Sequence, residues 1–323
     1  MKFNLDRLVK EDIQEVTSLV FNHFKALDFS DEVQDSELKI GKFLHKNLDN
    51  CFYFSFKDKK IFIFTKILDV SFMIKGSGLV LMIPLVVTKN LIASDLKEIL
   101  NLLLEHFKNI KIQSVVVNFL NSEYKNINLF LANKFELFSP RYYLSFCKIL
   151  KEKDSEQVFK KLSSKDLDII ADKIDLVRKK REDIKPHFWQ IRDDARKNHI
   201  PFLESEITQN HKFSYGLYNE DNSLNTFAIG KPKDLTFPDE PNLGLLFKKI
   251  EKVILVDDFY SIKDSDLNAN MSCLLTKIAK KSSKLGFTGF VFVTSQFDDE
   301  IQEYLNNIGS IKLNTWYAKA LFS

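Results

Sequence analysis

The stretch LFLANKFELFSPRYYLSF, residues 129 to 146, carries the pattern that decides the fold. It begins as the last turns of a helix and continues as an aromatic strand. A second stretch, EYLNNIGSIKLNTWYAKALF at residues 303 to 322, follows the same plan at the other end of the chain. Two segments with one plan predict an internal repeat, and such a repeat constrains the architecture more than any single motif does.

A shift of 174 residues relates the two segments. It aligns Gly78 with Lys252 at the start of two apolar strands, and it aligns Tyr143 with Tyr317 in the closing strands. Between these anchors both segments read, without a gap, as strand, helix of roughly fifteen residues, strand, short helix and strand. The repeat therefore predicts two copies of one mixed arrangement of strands and helices.

The front ends of the two halves match as well. Residues 8 to 24 and 162 to 177 each predict a helix with a polar first turn, and residues 51 to 67 and 212 to 230 each predict a β-hairpin. The second half carries about twenty extra residues within 178 to 207, which we expect to be helical and to border the cleft of that half because they include several large apolar side chains.

Each half thus runs helix, hairpin, long strand, helix, strand, helix, strand, and the charged residues 151 to 166 separate the halves. This order, together with VDDFYS at 256 to 261 and NTWYAKAL at 314 to 321, resembles the GCN5-related N-acetyltransferase (GNAT) fold. The resemblance implies a mixed α/β sheet in two GNAT-like domains in tandem. The first domain would span residues 1–150 and be degenerate, and the second would span residues 151–323 and be the more complete of the two.

Composition limits the function classes. The 323 residues are 45% hydrophobic and 28% charged, which is typical of an ordered globular protein. A net charge of +3, from 47 basic and 44 acidic residues, favours neither a nucleic acid nor a membrane as partner. Three distant cysteines predict neither a disulfide framework nor a metal site. A charged N-terminus and a longest apolar run of ten residues, 78 to 87, lead us to expect a cytoplasmic protein.

The resemblance implies acetyl-CoA as co-substrate, with its diphosphate bound by a glycine-containing turn at the start of the main helix. Here the basic position of that turn falls on Asp266 and its two glycine positions fall on Ala269 and Met271. Residues 90 to 100 of the first half contain no glycine either. An ordinary helix start is therefore an equal alternative to a CoA loop. The candidate contacts with CoA are Phe259, Tyr260, Leu267, Asn268, Ala269, Asn270 and Met271.

Transfer of an acyl group from a thioester to an amine needs a base for the amine and an acid for the departing thiolate. Asp257 and Asp258 are the candidate bases, because they lie on the central strand of the second half and point to opposite faces of it. The resemblance implies a tyrosine as acid, and the 174-residue shift places Tyr304 opposite Phe130. Two solvated aspartates and a tyrosine packed by its ring remain the alternatives.

Other prominent residues favour structural roles. We interpret the run RKKR at 178 to 181 as a solvated helix end rather than a binding surface for an acidic partner. His199 is open to solvent exposure or to substrate contact, as is His187. Phe188 and Trp189 would either anchor the extra segment or line an acceptor pocket.

The sequence predicts an N-acetyltransferase or related acyltransferase that acts on a small-molecule or peptide amine, with the chemistry in the second half. One alternative is a non-catalytic binding protein that kept the fold and lost the cofactor, which the missing glycines favour. The other is an aminoacyl-tRNA-dependent transferase of the tandem-GNAT type, which the nearly balanced charge does not favour. The acceptor and the oligomeric state cannot be read from the sequence.

Overall fold

A computed structural model describes residues 6–26, 36–150, 157–184, 190–209, 213–234, 252–262 and 267–321. Within these ranges every named strand joins a single twelve-stranded mixed sheet. The strands are β1 (Asp6–Arg7), β2 (Cys51–Phe56), β3 (Lys59–Asp69), β4 (Leu79–Lys89), β5 (Ser114–Leu120), β6 (Glu136–Ser145), β7 (Val158–Lys161), β8 (Tyr215–Tyr218), β9 (Leu224–Asp234), β10 (Lys252–Ser261), β11 (Gly289–Val293) and β12 (Ile311–Ala320).

Helices cover both faces of this sheet. They are α1 (Ile13–Lys25), α2 (Ser36–Lys46), α3 (Ala93–His106), α4 (Tyr124–Leu131), α5 (Phe146–Ile149), α6 (Leu167–Ile184), α7 (Ala195–Thr208), α8 (Leu267–Ser283) and α9 (Asp299–Asn307). None of the helices in the described ranges is both long enough and apolar enough to cross a lipid bilayer.

The strand order across the sheet is β1-β2-β3-β4-β5-β12-β6-β11-β10-β9-β8-β7. The sequence predicts a separate sheet for each half, but the structure joins the strands of both halves. β6 pairs with β11 and β12, whereas β12 pairs with β5 and β6. The last strand of each half is therefore bonded to strands from the other half of the chain, so each half completes the sheet of the other.

The long central strands form where the sequence predicts them, because their apolar side chains are buried beneath helices. α3 shows the expected amphipathic spacing and buries Leu96, Ile99 and Leu103 against the sheet. α8 does the same in the second half with Leu274 and Ile278. The hairpins β2–β3 and β8–β9 also form, as predicted from the sequence.

The extra segment of the second half is helical at both ends, since α6 continues to Ile184 and α7 begins at Ala195. Ile191 borders the second-half cavity described below, as expected. The large apolar side chains of this segment were expected to lie at that cleft, and for Phe202 this is wrong, because its side chain is 52% exposed. Phe188 and Trp189 lie outside the described residues.

A loop from the first half closes one side of this region. Ile74, in the loop between β3 and β4, forms an isolated antiparallel bridge with Ile191. The Lys75 backbone N–H donates to the Gln190 carbonyl at 2.6 Å, and the Arg192 N–H donates to the Met73 carbonyl at 3.0 Å. Backbone hydrogen bonds thus fix this loop against the extra segment of the second half.

Candidate active site

The parallel pairing of β10 with β11 stops before the carboxyl end of β10, and the place between the two strands beyond that point is called the opening below. Their ladder contains four pairs, from Val253 with Gly289 to Val256 with Phe292. Beyond it, β10 continues against β9 and β11 continues against β6, while a bulge falls at Asp257. The carboxyl ends of parallel strands that separate in this way leave room for a ligand between them.

The bulge divides the two predicted acidic side chains. Asp257 lies half-buried beside β9, where its Oδ2 atom is 2.8 Å from Lys231 Nζ. Asp258 is also half-buried, but it borders a cavity beneath α6. Of the two aspartates, Asp258 therefore has the placement that catalysis would need.

The cavity has a volume of about 140 Å³ and combines charged with apolar walls. α6 contributes one wall, the end of β10 a second, and the β3–β4 loop with the extra segment a third. Its lining residues are Met73, Ile74, Ile174, Val177, Arg178, Arg181, Ile191, Ala195, Asp258 and Tyr260.

The interpretation of RKKR as a solvated helix end is wrong for its two arginines. The side chains of Arg178 and Arg181 are only 14% and 18% exposed. They share a helix face with Ile174, because residues three, four and seven positions apart lie on one side of an α-helix. Lys179 and Lys180, by contrast, are exposed.

Arg181 is held by a buried network. Its Nη2 atom donates to Asp298 Oδ2 at 2.7 Å and to the Tyr260 hydroxyl at 3.3 Å. Asp298 precedes α9 and also accepts a 2.9 Å hydrogen bond from the Ser295 N–H. Burial raises the pKa of Tyr260 above its ordinary value, so this hydroxyl stays protonated. The network fixes one side of the cavity.

Arg178 has weaker partners. Its Nη2 atom lies 3.0 Å from His199 Nε2, and its Nη1 atom lies 3.5 Å from Asp175 Oδ1. The Nη1 atom is buried, and the Asp175 contact lacks hydrogen-bond geometry. Burial and the neighbouring Arg178 charge lower the pKa of His199 to about 4, so a neutral imidazole accepts from Arg178.

Burial and the neighbouring charges set the charge state of Asp258. Burial and the neighbouring Asp257 raise the pKa of Asp258 to about 6, against the opposing effect of Arg178 and Arg181. A carboxyl group that titrates just below neutral pH is ionised enough to accept a proton and basic enough to hold it. Asp258 therefore meets the electrostatic requirement for a general base.

Tyr304 lies on the other face of β10. It is 2% exposed, and its hydroxyl is 3.0 Å from the Ser272 hydroxyl on α8. Its ring centroid is 6.1 Å from that of Phe259, which follows Asp258 and therefore points to the opposite face of the strand. The predicted base and acid thus flank the strand from its two sides.

The predicted CoA contacts at the start of α8 fall into two groups. Asn268 and Ala269 are exposed, beside the N–H groups that a first helical turn leaves free. Asn270 is buried and bonded to Gln157 at 2.9 Å and to Asn225 at 3.2 Å, and Met271 is fully buried in the core. Met271 therefore has only its backbone to offer an anion.

Three other predicted positions complete this set. Leu267 begins α8, whereas Asp266 lies outside the described residues. Phe259 and Tyr260 are both buried on β10, where Phe259 faces Tyr304 and Tyr260 lines the cavity. These residues border the opening, although none of them marks a diphosphate site by its side chain.

The corresponding position in the first half already holds an anion. The buried carboxylate of Asp95 accepts a 3.1 Å hydrogen bond from the Ile92 N–H at the start of α3, and Lys59 Nζ lies 2.7 Å from it. Phe130, opposite Tyr304 in the repeat, packs between Phe119 and Phe135. The start of α3 is thus occupied by the protein's own side chain.

The sequence analysis missed a polar pair in the first half. His23 on α1 lies 2.9 Å from Glu123, whose carboxylate precedes α4 and also accepts from the Leu120 N–H at 2.7 Å. His23 and Thr88 line a cavity of about 780 Å³. The sequence signal is an acidic residue before each short helix, Glu123 in the first half and Asp298 in the second. Each of them contacts a basic side chain, His23 or Arg181, from the first helix of its half.

Comparison with known proteins informs the fold. No protein-family model matches the chain, and no curated protein matches it in sequence. A GCN5-related N-acetyltransferase from Sphaerobacter thermophilus matches in structure with a TM-score of 0.58 at 8% identity, over 99% of this chain and 96% of that one. Another from Kribbella flavida gives 0.38 at 10% identity, over 99% and 71% of the two chains.

The match to the Sphaerobacter thermophilus structure extends over nearly the whole of both chains and places the large mixed sheet and its helices in a known architecture. The chain has a mixed α/β fold with one large sheet, and this fold is similar to that of the Sphaerobacter thermophilus protein.

Proposed function

We propose that this protein transfers an acetyl or similar acyl group from CoA to an amine, and that the reaction takes place in the second half. The observation that carries the proposal is the position of Asp258 and Tyr304 on the two faces of β10, where β10 and β11 stop pairing. Attack on a thioester carbon needs the base and the acid on opposite sides of it.

In this mechanism the thioester lies in the opening and the amine enters through the cavity under α6. Asp258 takes a proton from the amine, the nitrogen attacks the carbonyl carbon, and Tyr304 protonates the sulfur as the carbon–sulfur bond breaks. The free backbone groups beyond Val256 and Phe292 are available to the amides of the pantetheine arm. The N–H groups of the first turn of α8 are available to the diphosphate.

The same proposal divides the chain into two GNAT-like halves, residues 1–150 and 151–323. The strand order supports this. If β1 to β6 are renamed β7 to β12 and β7 to β12 are renamed β1 to β6, the order read from one edge of the sheet becomes the order read from the other edge. The parallel ladder β4–β5 begins with the pair Val80 and Ser114, and the parallel ladder β10–β11 begins with the pair Val253 and Gly289. The shifts between these pairs are 173 and 175 residues, on either side of the 174 read from the sequence. The first half then has a structural role, because the Asp95 carboxylate already fills the start of its main helix, α3.

Two measurements test the proposal. Acetyl-CoA should raise the melting temperature of the purified protein, since a ligand that binds only the folded state stabilises it. Thiol release from acetyl-CoA should then depend on added amine. Tyr304→Phe should lower kcat by about 100-fold or more and leave the KM for acetyl-CoA nearly unchanged, because it removes only the proton donor.

Tyr124→Phe is the matched control, since Tyr124 lies on α4 and is 71% exposed. It should leave both constants unchanged. Full activity in Tyr304→Phe would remove this residue from the mechanism. Binding of acetyl-CoA without thiol release for any amine would favour a non-catalytic binding protein.

A further inference from the structure

The cavity under α6 carries opposite charges on different walls. Arg178 lies on the helix, and Asp258 lies on the end of β10. The remaining charged lining residue, Arg181, is engaged by Asp298 and Tyr260. A ligand in this cavity therefore meets one cation that is available to it and one carboxylate.

Arg178 is the group that most needs a further partner. Within the described part of the chain its buried Nη1 atom has no hydrogen bond and only a 3.5 Å contact with Asp175 Oδ1, and its Nη2 atom contacts the neutral ring of His199. A buried donor left unsatisfied costs free energy, whereas a guanidinium and a carboxylate form a strong, charge-assisted pair. An incoming carboxylate would supply the missing bond.

The size and polarity of the remaining walls limit what else the ligand can contain. Met73, Ile74, Ile174, Val177 and Ile191 give the cavity an apolar side. The volume of about 140 Å³ corresponds to roughly five water molecules at about 30 Å³ each. A benzene ring alone nearly fills a cavity of about 150 Å³, so an acceptor whose carboxylate and amino group also lie here has room for only a short aliphatic side chain.

From this arrangement we infer that the acyl acceptor is a small α-amino acid, such as glycine or alanine, whose carboxylate is bound by Arg178 and whose amino group faces Asp258. The inference rests on the proposed acyl transfer. Asp258 accepts the proton lost by the amino group, a nitrogen–carbon bond forms, and the carbon–sulfur bond breaks. Tyr304 gives its proton to the sulfur, so the products are an N-acyl amino acid and free CoA.

The test is a thiol-release assay with acetyl-CoA and four acceptors: alanine, glycine, ethylamine and phenylalanine. Alanine and glycine should be acylated, ethylamine should be poor because it lacks the carboxylate, and phenylalanine should be excluded by size. Loss of one charge-assisted hydrogen bond corresponds to about 10- to 150-fold in kcat/KM. We therefore expect alanine to exceed ethylamine by at least this factor in the wild-type protein.

Arg178→Met should abolish that preference, because it should lower kcat/KM for alanine much more than kcat/KM for ethylamine. Arg192→Met is the matched control, since Arg192 is 41% exposed and pairs with Asp194 at the surface. It should retain the preference. If Arg178→Met does not fold, inhibition of the wild-type protein by N-acetylalanine, compared with N-ethylacetamide, replaces the variant and should be the stronger of the two.

The outcomes separate this inference from the proposed function. Equal use of ethylamine and alanine would overturn the amino-acid acceptor and leave acyl transfer intact. Acetyl-CoA binding with no thiol release for alanine or glycine would also overturn it. An absence of acetyl-CoA binding would instead contradict the proposed function.

Discussion

Replacement of Asp258 by asparagine should make the protein more stable and less active. The folded protein raises the pKa of Asp258 from the usual 3.8 to about 6, chiefly by burial. Folding therefore favours the neutral acid. The associated stability is fully present below about pH 3.8 and is lost as the pH rises through about 6. Above that pH, the charged carboxylate lowers the free energy of unfolding.

The magnitude follows from the pKa difference. Roughly two pKa units at about 1.4 kcal/mol each give about 3 kcal/mol as an upper limit, which water in the adjacent cavity reduces. We expect Asp258→Asn to match the wild-type protein near pH 4 and to exceed it in free energy of unfolding by about 1–3 kcal/mol at pH 7.5. Urea unfolding at a series of pH values measures this difference.

Asp257→Asn is the control for this experiment. Asp257 pairs with Lys231 where both side chains are more than one-third exposed, and such pairs contribute about 0–1 kcal/mol. Its substitution should cost little itself and should shift the pH dependence less than Asp258→Asn does, because it removes only the Asp257 charge that adds to the effect of burial on the pKa of Asp258. A loss of stability in Asp258→Asn at pH 7.5, or an advantage independent of pH, would refute the account of this carboxyl group.

Three further predictions concern the site and the sheet. The rate of acyl transfer should rise with pH through about 6 as Asp258 ionises, and the pH profile of kcat should lose this rise in Asp258→Asn. Arg181→Met should lower the free energy of unfolding by about 3–5 kcal/mol because it leaves a buried carboxylate without its cation. Arg192→Met, which removes a surface pair, should have a much smaller effect in the same denaturant titration. Residues 1–150 expressed alone should fail to give a folded monomer in size-exclusion chromatography and near-ultraviolet circular dichroism, because β5 and β6 lose their pairing with β12. Co-expression with residues 151–323 should restore both signals. A stable isolated half would count against the strand exchange.

The central strands, the main helices and the hairpins were predictable because they depend on local patterns. Apolar periodicity defines the central strands and the main helices, and the closing segments at 129 to 146 and 303 to 322 share a visible plan. The exchange of β6 and β12 was not predictable in the same way. Either strand offers the same pattern to either half, so the choice of neighbour is made by tertiary packing.

The candidate site was predictable where the repeat differs between its halves. Asp257, Asp258 and Tyr304 were singled out because the first half has only apolar residues at the matching positions. The choice of Asp258 over Asp257 comes from the structure, which places Asp258 at the cavity. Arg178 and Arg181 were missed because a basic run resembles a solvated helix end, and only the burial of one helix face distinguishes its arginines from its lysines. The pairing of His23 with Glu123 joins residues that lie 100 positions apart, beyond the reach of local patterns.

The opening at the ends of β10 and β11 can be tested directly by hydrogen–deuterium exchange with and without saturating acetyl-CoA. Bound CoA should slow exchange of the backbone amides in residues 257 to 261 and at the start of α8, because their N–H groups would contact the ligand. The equivalent residues of the first half, 83 to 87 and the start of α3, should show no change, since Asp95 already fills the start of α3. Protection confined to the first half, or no protection in either, would contradict the assignment of acyl transfer to the second half.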